Sequence, residues 1–118
     1  MNDPERVESA ASGSTPFTCE VVPERDAVRV RPAGALDMAT AGKLQDEIAQ
    51  LRDAGFRRIL VDLRGLEFMD SSGLRALLTL HAQASNDGFV LGLVRGKPTV
   101  HRVFEVTGTT DLLPFTDS

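Results

Sequence analysis

From Phe17 to Val22 and again from Ala27 to Arg31, apolar and polar residues alternate, the period of two expected of strands, with Val28 and Val30 facing in and Arg29 and Arg31 facing out. Pro23 to Asp26 joins them. Past Asp37 the period lengthens. Ala41, Leu44, Ile48 and Leu51 fall on one side of a helix that Gly55 is placed to end. Ile59, Leu60, Val61 and Leu63 form a short aliphatic run that reads as a buried strand. A second helix is expected from Ser72, with Leu74, Leu77, Leu78 and His81 on one face and Gly88 as its stop. Phe89 to Val94 is the next strand. A third helix starts near Pro98, buries Val100, Val103 and Phe104, and closes at Gly108, leaving Leu112, Leu113 and Phe115 as a terminal packing segment. Residues 1–16 are rich in Ser, Pro, Glu and Gly without periodic apolar positions, so a loose tail is expected before a folded part at 17–118.

Strands followed by alternating helices and strands predict an α/β domain: a mixed sheet of about four to five strands, with helices packed mainly on one face. Functional loops in such folds lie beyond the carboxyl ends of strands. Pro32 to Asp37 and Arg64 to Ser72 are two such loops, placed to share one surface.

The 118 residues fit one domain, large enough to bury a core without metal or disulfide support. A formal charge of -4 opposes capture of phosphate backbones or anionic lipid, and without Trp or Tyr there is little to stack on bases. Direct nucleic-acid binding is therefore not expected. Cys19 is the lone cysteine, which precludes an internal disulfide and suits a reducing compartment. No leader-like or membrane-spanning apolar run is found, so the expected location is the cytoplasm, and the expected state a monomer or weak dimer.

The densest chemistry sits at Asp70, Ser71, Ser72 and Gly73, where a helix begins. One of these residues can simply cap the helix through a side-chain oxygen. Capping does not explain Gly73, which costs about 1 kcal/mol relative to Ala inside a helix; close approach of another group is the alternative. A serine nucleophile needs a base within hydrogen-bond reach. His81 lies about ten residues, hence roughly 15 Å, along the helix from Ser71, and His101 belongs to another helix, where covering the domain edge is its expected role. No Gly-x-Ser-x-Gly elbow, Gly-x-Gly-x-x-Gly loop or Walker-type sequence is present. Asp62, Glu67 and Asp70 do not read as a metal cluster, Asp62 being expected at a solvated or edge position.

Val61, Asp62, Leu63, then Leu66, Phe68, Met69, Asp70, Ser71, Ser72, Gly73 and Leu74 resemble the STAS domain of bacterial anti-sigma factor antagonists. The resemblance takes in Gly34, Ala35, Leu36 and Asp37, similar to that family's Gly-x-Leu-Asp loop, and Val103, Phe104, Thr107 and Gly108. It implies a non-enzymatic binding protein that needs no cofactor or metal of its own. Such a protein captures an anti-sigma factor, often a serine kinase, and thereby frees a sigma factor. Phosphorylation of the serine after the aspartate, here Ser71, shuts binding off, and a serine phosphatase resets the cycle. Asp37, Asp70, Ser72, Gly73 and Leu74 are the partner-facing residues the resemblance implies, with helix capping the alternative for Asp37. The helix end is expected to accept the phosphate internally. A second reading keeps the fold but makes the chain an accessory subunit of a membrane transporter or stress-sensing complex.

Overall fold

The structure is a computed structural model and describes residues 16–116; nearly all of the expected tail at 1–16 lies outside them. The chain forms strands β1 (Thr18–Pro23) and β2 (Val28–Leu36), helix α1 (Ala41–Asp53) and strand β3 (Arg58–Asp62). A 3-10 turn at Leu63–Gly65 leads to β4 (Leu66–Met69), α2 (Ser71–Asp87), β5 (Val90–Val94) and α3 (Pro98–Thr107). A second 3-10 turn, Thr110–Leu112, precedes β6 (Phe115–Thr116).

These strands make one sheet in the order β1-β2-β3-β5-β6, with β4 paired to β2 off that path. The β1–β2 hairpin is antiparallel and the other pairings are parallel. Alternation sends Val28, Val30, Ile59, Val61, Leu91 and Leu93 to one face, where they join Leu44, Ile48, Leu77, Leu80, Val100 and Phe104 of the helices in one core. Each of those side chains, fully buried, contributes about 1.5–3 kcal/mol. Helices cover that face. The opposite face carries Glu20, Arg29, Arg31, Leu60 and Asp62, which occupy the alternate positions of the same strands.

Two expected loops contain strand. β2 does not stop at Arg31 but runs through Pro32 to Leu36, and Leu66–Met69 pairs with its far end. Pro32 sits where β2 has left β3, whose pairing ends at Val30, and has not yet met β4, whose pairing starts at Gly34. On that side a missing N–H leaves no gap in a ladder. The register shifts between Gly34 and Ala35, and Gly34 takes φ 94°, a left-handed conformation that glycine supplies without strain. With β4 and the short β6, the sheet has six strands rather than four or five.

The face of α2 is also rotated from expectation. Leu74, Leu77, Leu80 and Ala84 are buried, whereas Leu78 and His81 are half-buried at its margin. Leu113 packs inward as expected, but Leu112 is exposed.

Two polar residues correct the sequence reading. Asp62 is only 3% exposed. Arg64 holds it with a two-pronged guanidinium contact at 2.9 and 2.7 Å and with its backbone N–H at 3.1 Å. Arg29 adds a bond at 3.0 Å and reaches on to Glu24 at 2.7 Å. Burial alone would raise the Asp62 carboxyl, but these bonds and charges outweigh it and hold the pKa down at about 2. His101 is buried, not at an edge. Its ring packs against Phe104 and Phe115, and Arg95 donates to Nε2 at 2.9 Å. Burial, then the Arg95 charge, push its pKa below the ordinary histidine value, with Glu105 opposing.

Candidate functional site

The ends of β2 and β4 lie side by side because Ala35 pairs with Phe68 and Leu36 with Met69. Neighbouring strands are about 4.8 Å apart, so the segments leaving them, Asp37 to Thr40 and Asp70 to Ser72, emerge as one edge. The Asp70 N–H donates to the Leu36 carbonyl at 3.3 Å, fixing the entry to α2 against the residue before Asp37.

Asp70 is the N-cap of α2, with extended backbone angles of φ -113° and ψ -169°. Its Oδ1 accepts from the N–H of Ser72 at 2.8 Å and of Gly73 at 3.2 Å, while its carbonyl accepts from Leu74 N–H at 3.1 Å. The helix begins at Ser71, one residue earlier than expected. Ser71 is exposed and Ser72 half-buried.

This geometry alters the expectation for a phosphate on Ser71. Two of the first-turn N–H groups that could receive an anion, those of Ser72 and Gly73, already bond to the Asp70 carboxylate, which leaves the Ser71 N–H. A phosphate on Ser71 would therefore compete with the Asp70 carboxylate for those two donors and sit next to a negative charge.

Gly73 has a steric cause. A Cβ at that position would lie 2.6 Å from the Leu36 carbonyl oxygen, 2.7 Å from Met69 Cγ and 3.0 Å from Leu36 Cγ. The first turn of α2 rests directly on the end of β2, and only a residue without a side chain permits that approach.

Asp37 ties a turn rather than capping α1. Its Oδ1 accepts from the Ala39 N–H at 3.0 Å, and its own N–H donates to Thr40 Oγ1 at 3.0 Å. Thr40 Oγ1 donates to the Ala35 carbonyl at 2.7 Å, and Thr40 itself is the N-cap of α1, without a side-chain cap bond.

The structure thus brings Asp37, Asp70, Ser71 and Ser72 to one edge. Gly73 and Leu74 belong to the interior, being buried beneath it. Asp62, Glu67 and Asp70 each serve a separate partner, respectively the two arginines, Lys97 at 2.8 Å and the α2 cap. Two apolar residues at this edge were not read from the sequence as exposed: Met38, 82% exposed in the Asp37 turn, and Phe68, 52% exposed on β4. Their signal was faint, a large apolar residue in each case outside the run assigned to a strand or helix face.

The family model of the STAS domain matches residues 20–118. The chain belongs to the STAS domain family. An anti-sigma-B factor antagonist of Staphylococcus aureus is 36% identical over 87 residues, covering 71% of this chain and 78% of the relative. Among solved structures, the anti-sigma factor antagonist SpoIIAA in its unphosphorylated form superposes with a TM-score of 0.68 at 24% identity, covering 87% of this chain and 90% of the other. The Bacillus cell fate determinant SpoIIAA in the phosphorylated form gives 0.62 at 24% identity, covering 87% and 93%. These two likenesses speak for the fold. No helix among the described residues of this STAS chain is long and apolar enough to cross a membrane.

Proposed function

We propose that this chain is an anti-sigma factor antagonist that docks through the Asp37–Ser71 edge and is switched off when Ser71 is phosphorylated. The observation that carries the reading is the exposed Ser71 hydroxyl beside Asp70, at a helix end where the Asp70 carboxylate already takes the Ser72 and Gly73 N–H groups. A kinase can reach that hydroxyl. Once added, the phosphate brings about -1.5 to -2 charges beside the Asp70 carboxylate, which already holds two of the first-turn N–H groups. Against a docked partner the group suffers desolvation and repulsion, and a loss of only about 3 kcal/mol weakens binding more than a hundredfold. No refolding is needed.

The partner on this reading is an anti-sigma factor that is itself a serine kinase. It supplies Mg-ATP and the transfer machinery, so the antagonist works as a binding protein in the cytoplasm until a serine phosphatase restores the hydroxyl. The names of curated relatives such as the Staphylococcus aureus antagonist support this reading over that of a transporter subunit. Incubating the protein with an anti-sigma kinase and Mg-ATP tests it. Label should appear on Ser71, and Ser71→Ala should resist labelling while still binding the kinase. Normal labelling of Ser71→Ala would move the site elsewhere.

A further inference from the structure

Six large apolar side chains are exposed among the described residues, and two of them, Met38 and Phe68, flank the Ser71 edge. Phe68 stands beside Ala35 across the β2–β4 pairing, and Met38 follows Ala35 by three residues, so the two backbones are no more than about 15 Å apart. Ser71 follows Phe68 by the same number of residues, through the Asp70 cap. The hydroxyl and both carboxylates thus share their edge with an apolar residue from each strand end.

We propose that Met38 and Phe68 are the apolar rim of the partner interface, keeping water away from Ser71 and thereby setting how sharply phosphorylation turns binding off. This rests on the docking role proposed above. The reason is electrostatic: a phosphate facing a partner across water is screened, whereas the same charge in a dry contact is opposed several times more strongly. Exposed acidic and hydroxyl groups alone do not dry a contact. Large apolar residues around them do, by excluding solvent from the contact. The partner face that fits presents an apolar recess for Met38 and Phe68, bordered by cationic side chains opposite Asp37 and Asp70.

The probe is the purified anti-sigma kinase that labels Ser71, titrated calorimetrically with unphosphorylated and Ser71-phosphorylated forms of the wild type, Met38→Ser, Phe68→Ser and Val90→Ser. Val90 is an exposed apolar control at the start of β5, the opposite end of the sheet. All substituted positions are exposed, and matching thermal melts check that each variant folds. Met38→Ser and Phe68→Ser should each weaken binding of the unphosphorylated form about tenfold. They should also shrink the ratio between phosphorylated and unphosphorylated affinities, while Val90→Ser changes neither. Rim variants that bind like the wild type, or that weaken while keeping the full phosphorylation ratio, would overturn the proposal and leave the docking reading standing if the wild type still discriminates. A wild type that binds equally well in both forms would remove the switch itself, and the rim's part in it.

Discussion

Replacing Gly73 by alanine sets two effects against each other, and the structure says which prevails. Alanine is favoured over glycine in a helix by about 1 kcal/mol. Its Cβ, however, would lie 2.6 Å from the Leu36 carbonyl oxygen and 2.7 Å from Met69 Cγ. The first of these is backbone at the end of a paired strand and cannot rotate away. Relief requires the first turn of α2 to lift by several tenths of an ångström, straining the 3.3 Å bond from Asp70 N–H to Leu36. Overpacking of this kind costs about 1–3 kcal/mol, for a net loss of up to about 2 kcal/mol after the gain in propensity. Gly42 on α1 is the internal control, since a Cβ there meets nothing within 4 Å. Gly42→Ala should be neutral or more stable by up to about 1 kcal/mol. Urea unfolding followed by circular dichroism measures both: the Gly73→Ala midpoint should fall, by up to about 1 M, and lie below that of Gly42→Ala. If Gly73→Ala proves as stable as Gly42→Ala, the close packing of α2 on β2 is wrong.

The Asp62 carboxyl, held down at about 2 in the folded state against an ordinary value of 3.8, makes stability fall as pH drops from about 4 towards 2, by about 2 kcal/mol in all. Urea titrations across that range should show the slope, and Asp62→Asn should flatten it. His101 acts at higher pH. Its depressed folded pKa means the unfolded chain takes up a proton first, so stability present at pH 8 should decline as pH falls through about 6.5; His101→Leu should lose that decline, and an unchanged profile would argue against the buried neutral ring. Cys19, half-buried, has its thiol pushed up to about 11 by burial and by Glu47, so at pH 8 the folded protein should react with iodoacetamide far more slowly than the urea-unfolded chain. Equal rates would contradict the packing of β1.

Much of the fold was legible because long elements repeat their pattern. Val28 and Val30 on a strand, and Leu44, Ile48 and Leu51 on a helix, reveal their buried faces by spacing alone. β4 did not: its four residues read buried, exposed, exposed, buried, and no period survives in so short a segment. The length of β2 was hidden by Pro32, a residue whose acceptability depends on where two other strands end. Asp62 was misjudged for a related reason. Its partner Arg29 lies 33 residues away, and only the β2–β3 pairing brings them together. At the site, the capping residue and the tight approach at Gly73 follow from residue type. The exposure of Met38 and Phe68 does not, because it depends on what the fold leaves uncovered.

The most direct test of the account is the affinity of one anti-sigma factor for the purified protein before and after stoichiometric phosphorylation at Ser71, measured by calorimetry on folded material. The unphosphorylated form should bind, and the phosphorylated form should bind more than about a hundredfold more weakly, with an unchanged circular dichroism spectrum. Equal affinities for the two forms would contradict the claim that the charge on this one exposed hydroxyl governs docking.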